Sequence, residues 1–327
     1  MTFLVTGSAG HLGEGLVRTL RTAGEKVVGI DRKPSRFTDA VGSISDRGFV
    51  RQHVAGAKVV LHSAALHKPH VATHSRQNFV DVNVTGTLNL LEESVAAGVR
   101  SLIFTSTTSV FGDALTSGEG EPAAWITEDV LPIPKNIYGV TKLAAEDLCQ
   151  LFHRNQHLPC IVLRTSRFFP EDDDSKTIRT AYDGDNAKTN ELLYRRADIA
   201  DVVGAHLLAA RRAAEVGFGK YIISATTPFH PEDAADLGRD TPAVLARRVP
   251  NYVSAYSARN WRMFPTIDRV YDNARARREL GWIPRYDFAQ AIAQLRAGLA
   301  IGSPLACEVG AKGYHDRAFA EGPYPVE

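Results

Sequence analysis

Phe3-Leu4-Val5-Thr6 is a short unbroken apolar run, the pattern of a parallel strand buried on both faces. Leu12, Leu16, Val17 and Leu20 then recur at helical spacing, and Gly24 stops that helix. A second strand runs from Lys26 to Ile30 and ends at Asp31. Val59-Val60-Leu61-His62 reads as another buried strand. It runs into Ser63, Ala64 and Ala65, small side chains that suit a backbone passing close to a ligand. Between Ser75 and Ala97, Val80, Val84, Leu88 and Leu91 mark one face of a helix ended by Gly98. Asn83 inside it is either exposed or a partner that stabilises a kink. Leu102-Ile103-Phe104 is the next strand, opening into the hydroxyl run Thr105-Ser106-Thr107-Thr108-Ser109.

Ile161-Val162-Leu163 is the last strong strand of the first part, and Phe169-Pro170-Glu171 begins a second lobe. There Asp172-Asp173-Asp174 reads as a solvated acidic loop. Ile199, Val202, Val203 and Leu207 form the stripe of a helix from Ala197 to Ala214, and Tyr221 to Ser224 reads as a strand. Further helices are expected from Asp268 to Leu280 and from Tyr286 to Leu299. Alternating strands and helices predict an α/β fold, a doubly wound parallel sheet with a smaller C-terminal α/β lobe. The stretch after Gly302, rich in Gly and Pro, carries no pattern that places it.

Composition narrows the function classes. The 327 residues are 44% hydrophobic and 23% charged, ordinary for a globular protein. Lys plus Arg number 38 and Asp plus Glu 37, so no global field draws the chain to nucleic acid or an anionic membrane. No apolar run reaches membrane-spanning length. Cys149, Cys160 and Cys307 are widely spaced, which predicts reduced thiols in a cytoplasmic protein and no zinc site.

Gly7, Gly10 and Gly13 lie between a strand and a helix, the context that lets a backbone approach a pyrophosphate at a helix N-terminus. Asp31, at the end of the second strand, is placed to accept hydrogen bonds from a ribose. That carboxylate favours NAD over NADP, although Arg32 and Lys33 could pair with a 2′-phosphate. Tyr138 and Lys142 stand four apart on one helix face. An ammonium so close is expected to lower the phenol's pKa and make Tyr138 an acid/base group. His67, Lys68, His70 and His74 cluster around Pro69, without the carboxylate or helical spacing of a metal site; an active-site loop and plain surface remain the two readings.

Thr6-Gly7-x-x-Gly10-x-x-Gly13, Asp31, His62-Ser63-Ala64-Ala65, Asn83, Thr107, Tyr138-x-x-x-Lys142 and Leu280-Gly281-Trp282-x-Pro284 together resemble the extended short-chain dehydrogenase/reductases, the NAD-dependent epimerase/dehydratase family. The resemblance implies a Rossmann NAD-binding domain over 1–168, with about 196–225 returning to it, and a mainly substrate-binding lobe over 169–327. It implies that Gly7, Gly10, His11, Leu12 and Gly13 cradle the pyrophosphate. Asp31 and Arg32 would meet the adenosine ribose, with Ser43, Ile44, Ala64, Ala65 and Asn83 as further cofactor contacts. Thr107 would hold the substrate oxygen, Tyr138 would act as acid/base, and Lys142 would bind the nicotinamide ribose. Helices after Ser75 and after Tyr138 would pair in a homodimer.

Ser43 stands where relatives often carry an Asp, and Thr108 and Ser109 replace the acidic pair of sugar-nucleotide dehydratases, which argues against dehydration. The short polar stretch from Pro170 to Arg195 points to a compact carbohydrate substrate such as a free sugar or sugar acid. His67, Thr108, Arg167 and Arg179 are its candidate contacts. The expected activity is NAD-dependent oxidation or reduction at a hydroxyl or carbonyl carbon. An epimerase using the same triad, and a non-catalytic NAD(P)-binding regulator, are the alternatives.

Overall fold

The computed structural model describes residues 1–118, 120–315 and 319. Seven strands make one parallel sheet: β1 (Thr2–Thr6), β2 (Lys26–Asp31), β3 (Ala40–Val41), β4 (Val59–His62), β5 (Ser101–Thr107), β7 (Cys160–Thr165) and β8 (Phe218–Ile223). Their order is β3-β2-β1-β4-β5-β7-β8, with a separate parallel pair of β6 (Ala124–Ile126) and β9 (Arg269–Tyr271). The order reverses direction between β1 and β4, and the crevice beyond the carboxyl ends of those strands is where such sheets bind ligands.

The unbroken apolar strands follow from a sheet covered on both faces. Val5, Leu61, Ile103 and Leu163 point into a core shared with α1 (His11–Thr22). Their chain neighbours Leu4, Val60, Leu102 and Val162 point into the opposite core. That second core is closed by α2 (Arg47–Val54), by a helix that begins as α3 (Arg76–Phe79) and ends as α4 (Gly86–Ala96), and by α5 (Ile137–Gln156). Each fully buried aliphatic side chain here contributes about 1.5–3 kcal/mol. The hydroxyl run begins inside the sheet, since β5 carries Thr105, Ser106 and Thr107 as buried strand residues.

Between α3 and α4 the chain makes a π-helical turn, Val80–Thr85. Asn83 causes it to be worthwhile. Its side chain is buried, accepts from Leu66 N at 2.8 Å, and donates to Leu66 O and Thr141 Oγ1 at 3.0 Å each. The kink reading of this residue therefore describes its place, with backbone and a threonine as the partners.

The second lobe has its own core, in which Leu193, Leu245, Val270, Phe288 and Ile292 are buried. It is built from α6 (Lys176–Ala181), α7 (Gly184–Glu191), and the later α9 (Ala234–Leu237), α10 (Thr241–Arg248), α11 (Tyr252–Ser257) and α12 (Phe288–Arg296). Between them α8 (Ile199–Val216) and β8 return to the main sheet, and α13 (Pro304–Val309) lies against α1 and α8. The start of the helix expected from Asp268 is corrected: Arg269–Tyr271 is a strand paired with Ala124–Ile126, and helix begins only at Ala274, running as a π turn over Ala276–Leu280. The distant partner strand, reinforced by Trp125 Nε1 donating to Asp272 at 3.0 Å, overrides the local helical pattern. No helix among the described residues is long and apolar enough to cross a membrane.

Candidate active site

A cleft of 890 Å³ runs along the carboxyl edge of the sheet. At one end it is floored by the loop between β1 and α1. Gly7 has φ +77°, and a Cβ there would sit 2.8 Å from Ala64 N. A Cβ on Gly13 would lie 1.9 Å from Gly7 O, so only glycine lets the helix start this close to the strand. Gly10 is the N-cap and provides no side-chain cap. The first-turn N–H groups of His11, Leu12 and Gly13 border the cleft without intrahelical partners, while Gly10 N donates to Gly7 O at 3.0 Å and closes the loop. This backbone cradle fits an anionic pyrophosphate.

Asp31 borders the same cleft. Its two carboxylate oxygens accept from Ala9 N at 3.0 Å and Lys33 N at 2.8 Å, which fixes the side chain and leaves lone pairs for ribose hydroxyls. Arg32, Ile44, Ala64 and Ala65 line the cleft as well. Ser43 and Asn83 do not. Ser43 turns its hydroxyl to Ser45 N at 3.2 Å, and Asn83 lies behind the loop at Leu66, whose backbone it holds.

At the other end of the cleft, β5 delivers Thr107 and the first turns of α5 deliver Tyr138 and Lys142, all three buried. Asn136 caps α5 by accepting from Gly139 N at 3.2 Å. Thr107 and Tyr138 border the cleft together, and the Thr107 hydroxyl is the neighbour that favours the ionised Tyr138 phenol. Thr107 Oγ1 also accepts from Ser109 N at 3.1 Å. Lys142 lies deeper, its Nζ 4.0 Å from the centre of the Phe104 ring.

The electrostatics correct one expectation. Burial pushes the Tyr138 phenol up to about 12, and only the Thr107 hydroxyl pulls it down. Lys142 is itself brought down to about 7 by burial, with Cys149 and Glu146 resisting. Desolvation is thus the largest influence on Tyr138 in the free protein, and Lys142 is not among the groups that shift it.

The loop of histidines joins this end. A short 3-10 turn, Lys68–His70, presents His67 with its ring 5.9 Å from Tyr138. Burial, first of all, holds His67 at about 3 and His70 at about 4, so both are neutral at pH 7. No cluster among the described residues could hold a metal ion.

The substrate-side arginines are engaged. Arg167 borders the cleft but pairs with Asp173 at 2.5 Å, Asp174 at 3.0 Å and Glu191 at 3.2 Å. Arg179 lies outside it and donates to the carbonyls of Asp173 and Asp174 at 2.6 and 2.9 Å. The acidic run is therefore not a solvated loop. Asp173 is buried between arginines, and Asp174 also pairs with Lys68. Thr108 borders the cleft next to Thr107. Sequence reasoning missed Tyr194, Asp268, Arg269 and Tyr271 on the lobe side, and Lys312 to His315 from the tail. These residues come from loops and short elements with no periodic signature, and only the folded chain gathers them.

Residues 3–223 match the model of the NAD-dependent epimerase/dehydratase family. The chain belongs to this family. A 3-beta-hydroxysteroid dehydrogenase of Mycolicibacterium neoaurum is 26% identical over 333 residues, 89% of each chain. A UDP-glucose 4-epimerase of Streptomyces lividans is 34% identical over 157 residues, 45% of this chain and 46% of that one. The first four curated relatives are matched over only 36% to 46% of their own lengths. Among solved structures, a short-chain dehydrogenase/reductase superfamily protein from Agrobacterium tumefaciens, with bound NAD, superposes with a TM-score of 0.64. It is 23% identical and covers 91% of this chain and 98% of that chain. In this family setting the cofactor is NAD, and the glycine cradle and Asp31 are the features of this chain that fit it.

Proposed function

We propose that this protein is an NAD-dependent oxidoreductase acting at a hydroxyl or carbonyl carbon of a compact ring substrate of the sugar or sugar-acid type. One observation carries the reading: Thr107, Tyr138 and Lys142 are buried together at one end of the cleft that the glycine loop floors at the other. Bound NAD would exchange a hydride with the substrate carbon. Gly10 to Gly13 would hold its pyrophosphate, Asp31 its adenosine ribose and Lys142 its second ribose. Thr107 would hold the substrate oxygen, and Tyr138 would take or return the proton at that oxygen. Thr107, Tyr138 and Lys142 are themselves buried, which strengthens the hydrogen bonds they would make.

Substrate size follows from the lobe. Arg167, Arg195 and Arg269 border the cleft, and each is tied to an acid or carbonyl of this chain. Charges already engaged favour a substrate read mainly through hydroxyls over one that needs a diphosphate clamp. An epimerase is the second reading, favoured by the likeness to UDP-glucose 4-epimerases.

We assign 1–168, with 196–225, mainly to cofactor binding, and the rest of 169–327 mainly to substrate; 316–318 and 320–327 lie outside the described residues. Exposed Val80 and Val95 before β5, and Val140 and Leu151 on α5, support a homodimer formed through those helices. Three free cysteines support a reducing, cytoplasmic compartment.

The test is incubation with NAD and a panel of sugars, sugar acids, sugar nucleotides and hydroxysteroids, following NADH by absorbance and stereochemistry by NMR. NADH growing with a sugar or sugar acid supports the proposal. An inverted stereocentre without NADH makes the protein an epimerase, and NADH with a steroid alone overturns the substrate class.

A further inference from the structure

We propose that residues 310–315 form a clasp across the dinucleotide site and set how fast the cofactor leaves. The segment follows α13 and crosses from the start of α1 to the loop after β4. Lys312 N and Gly313 N both donate to Glu171 Oε1, at 2.8 and 2.9 Å. The same oxygen meets His11 Nε2 at 2.8 Å, so one buried carboxylate ties the clasp to the glycine loop. The carboxylate only accepts, which assigns the shared proton to His11. Lys312 Nζ pairs with Glu14 in the first turn of α1. At the far end His315 Nε2 bonds Pro69 O at 2.8 Å.

Between these ties lies Tyr314. Its ring stands edge-on to His67, His70 and Phe169, at 6.2, 5.9 and 5.6 Å, and 6.0 Å from His11. His67 in turn stands 5.9 Å from Tyr138, so one ring separates the clasp from the acid/base group. Lys312, Gly313, Tyr314 and His315 border the same cleft as the glycine loop and Tyr138.

The clasp therefore joins the three segments that border the cofactor's path: the N-terminus of α1, the loop after β4 and the loop after β7. Each lies at the carboxyl edge of the sheet, and the first two flank the point between β1 and β4 where the strand order reverses. A dinucleotide held on the glycine loop and reaching toward Tyr138 would pass beneath this bridge, since all these residues border one cleft. Its release requires the clasp to lift, which breaks the Glu171, Glu14 and Pro69 ties and separates the ring cluster. His67 and His70 are neutral at pH 7, so neither of these two rings adds a charge where Tyr314 packs against them.

The proposal rests on NAD as cofactor and not on the substrate reading, and its test needs no substrate. NADH is bound to the protein and chased with excess NAD in stopped flow, its fluorescence reporting dissociation. Wild type is compared with Tyr314→Ala, Lys312→Ala and the double variant, each checked for an unchanged far-UV spectrum and unfolding midpoint. The dissociation rate is expected to rise about tenfold or more in the double variant, a loss of about 1.4 kcal/mol of retention. A rise below about threefold overturns the clasp. Should the double variant fail to fold, His315→Ala, which cuts the Pro69 tie and the ring contacts to His70 and Phe319, is read against the same threshold. Wild-type protein that binds no NADH overturns the cofactor assignment instead.

Discussion

Glu146 lies one helical turn beyond Lys142 and holds Arg164 in a buried ion pair. Arg164 Nη2 meets Glu146 Oε2 at 2.8 Å, and Nε meets the two carboxylate oxygens at 3.1 and 3.2 Å. Side-chain exposures are 2% for the arginine and 0% for the glutamate, so solvent does not screen the pair. Ser106 Oγ adds a hydrogen bond to Oε1 at 2.5 Å. Helix α5 is thereby fastened to β5 and β7 just behind the acid/base group.

Removing one partner strands the other charge. Glu146→Ala is expected to cost about 3–5 kcal/mol, read from urea unfolding. The double variant Glu146→Met with Arg164→Met should recover most of that loss, because the desolvation penalty disappears with both charges. A double variant as unstable as the single one would show that the pair itself contributes the stability.

Tyr138→Phe keeps the ring and removes the proton carrier. Turnover on the identified substrate is expected to fall by about 10²–10⁴. NADH affinity should stay within about threefold, measured by fluorescence titration. Turnover near the wild-type level would move the acid/base role to another group.

Gly13→Ala places a methyl 1.9 Å from Gly7 O and 2.8 Å from Ser8 Cα. The loop or the helix must shift, and the pyrophosphate cradle with it. NADH affinity is expected to drop at least about tenfold, or roughly 1.4 kcal/mol, by calorimetric titration. An unchanged affinity would remove the glycine loop from the cofactor site.

Asn83→Ala leaves Leu66 N and O without their side-chain partner in a buried setting. A loss of about 1–3 kcal/mol is expected in unfolding free energy. Because Leu66 precedes His67, substrate KM should rise more than NADH affinity falls. Equal effects on both would make Asn83 a purely structural residue.

His206 carries a pH prediction. Its Nδ1 meets Val202 O and its Nε2 meets Thr105 Oγ1, both at 2.8 Å, in a fully buried setting. The carbonyl can only accept, so Nδ1 carries the proton and the ring is neutral. Burial holds this histidine at about 4, against 6.5 unfolded. The unfolded chain binds the extra proton first, so this contribution is complete above pH 6.5 and is lost as pH falls toward 4. The loss is expected to reach about 3 kcal/mol. Urea midpoints measured across that window should fall more steeply for wild type than for His206→Gln, and parallel profiles would refute the assignment.

The amino-acid order alone determined what is local. A strand buried on both faces shows as an unbroken apolar run, and an amphipathic helix shows as a stripe. A helix that starts against a strand needs glycine at Gly7 and Gly13. Tyr138 and Lys142 share a face because four residues make about one turn. The parallel sheet, the glycine loop between β1 and α1, and the pairing of Tyr138 with Lys142 on one helix face were legible from such short-range rules, while the place of Thr107 beside them came from the resemblance to a family.

Tertiary structure decided what depends on distant partners. Arg167 and Arg179 were candidate substrate contacts in the sequence, and in the fold they meet the acids and carbonyls of Asp173 and Asp174. Tyr138 was expected to be acidified by Lys142, yet burial of both groups dominates. Arg269–Tyr271 became a strand because Ala124–Ile126 lies beside it. The tail had no pattern to place it, and Lys312 reaches Glu14 across 298 positions of chain. Periodicity encodes which way a side chain points from its own element. It carries no record of which remote charge, ring or strand edge will be waiting there, and that pairing is settled only when the whole chain closes around its cores.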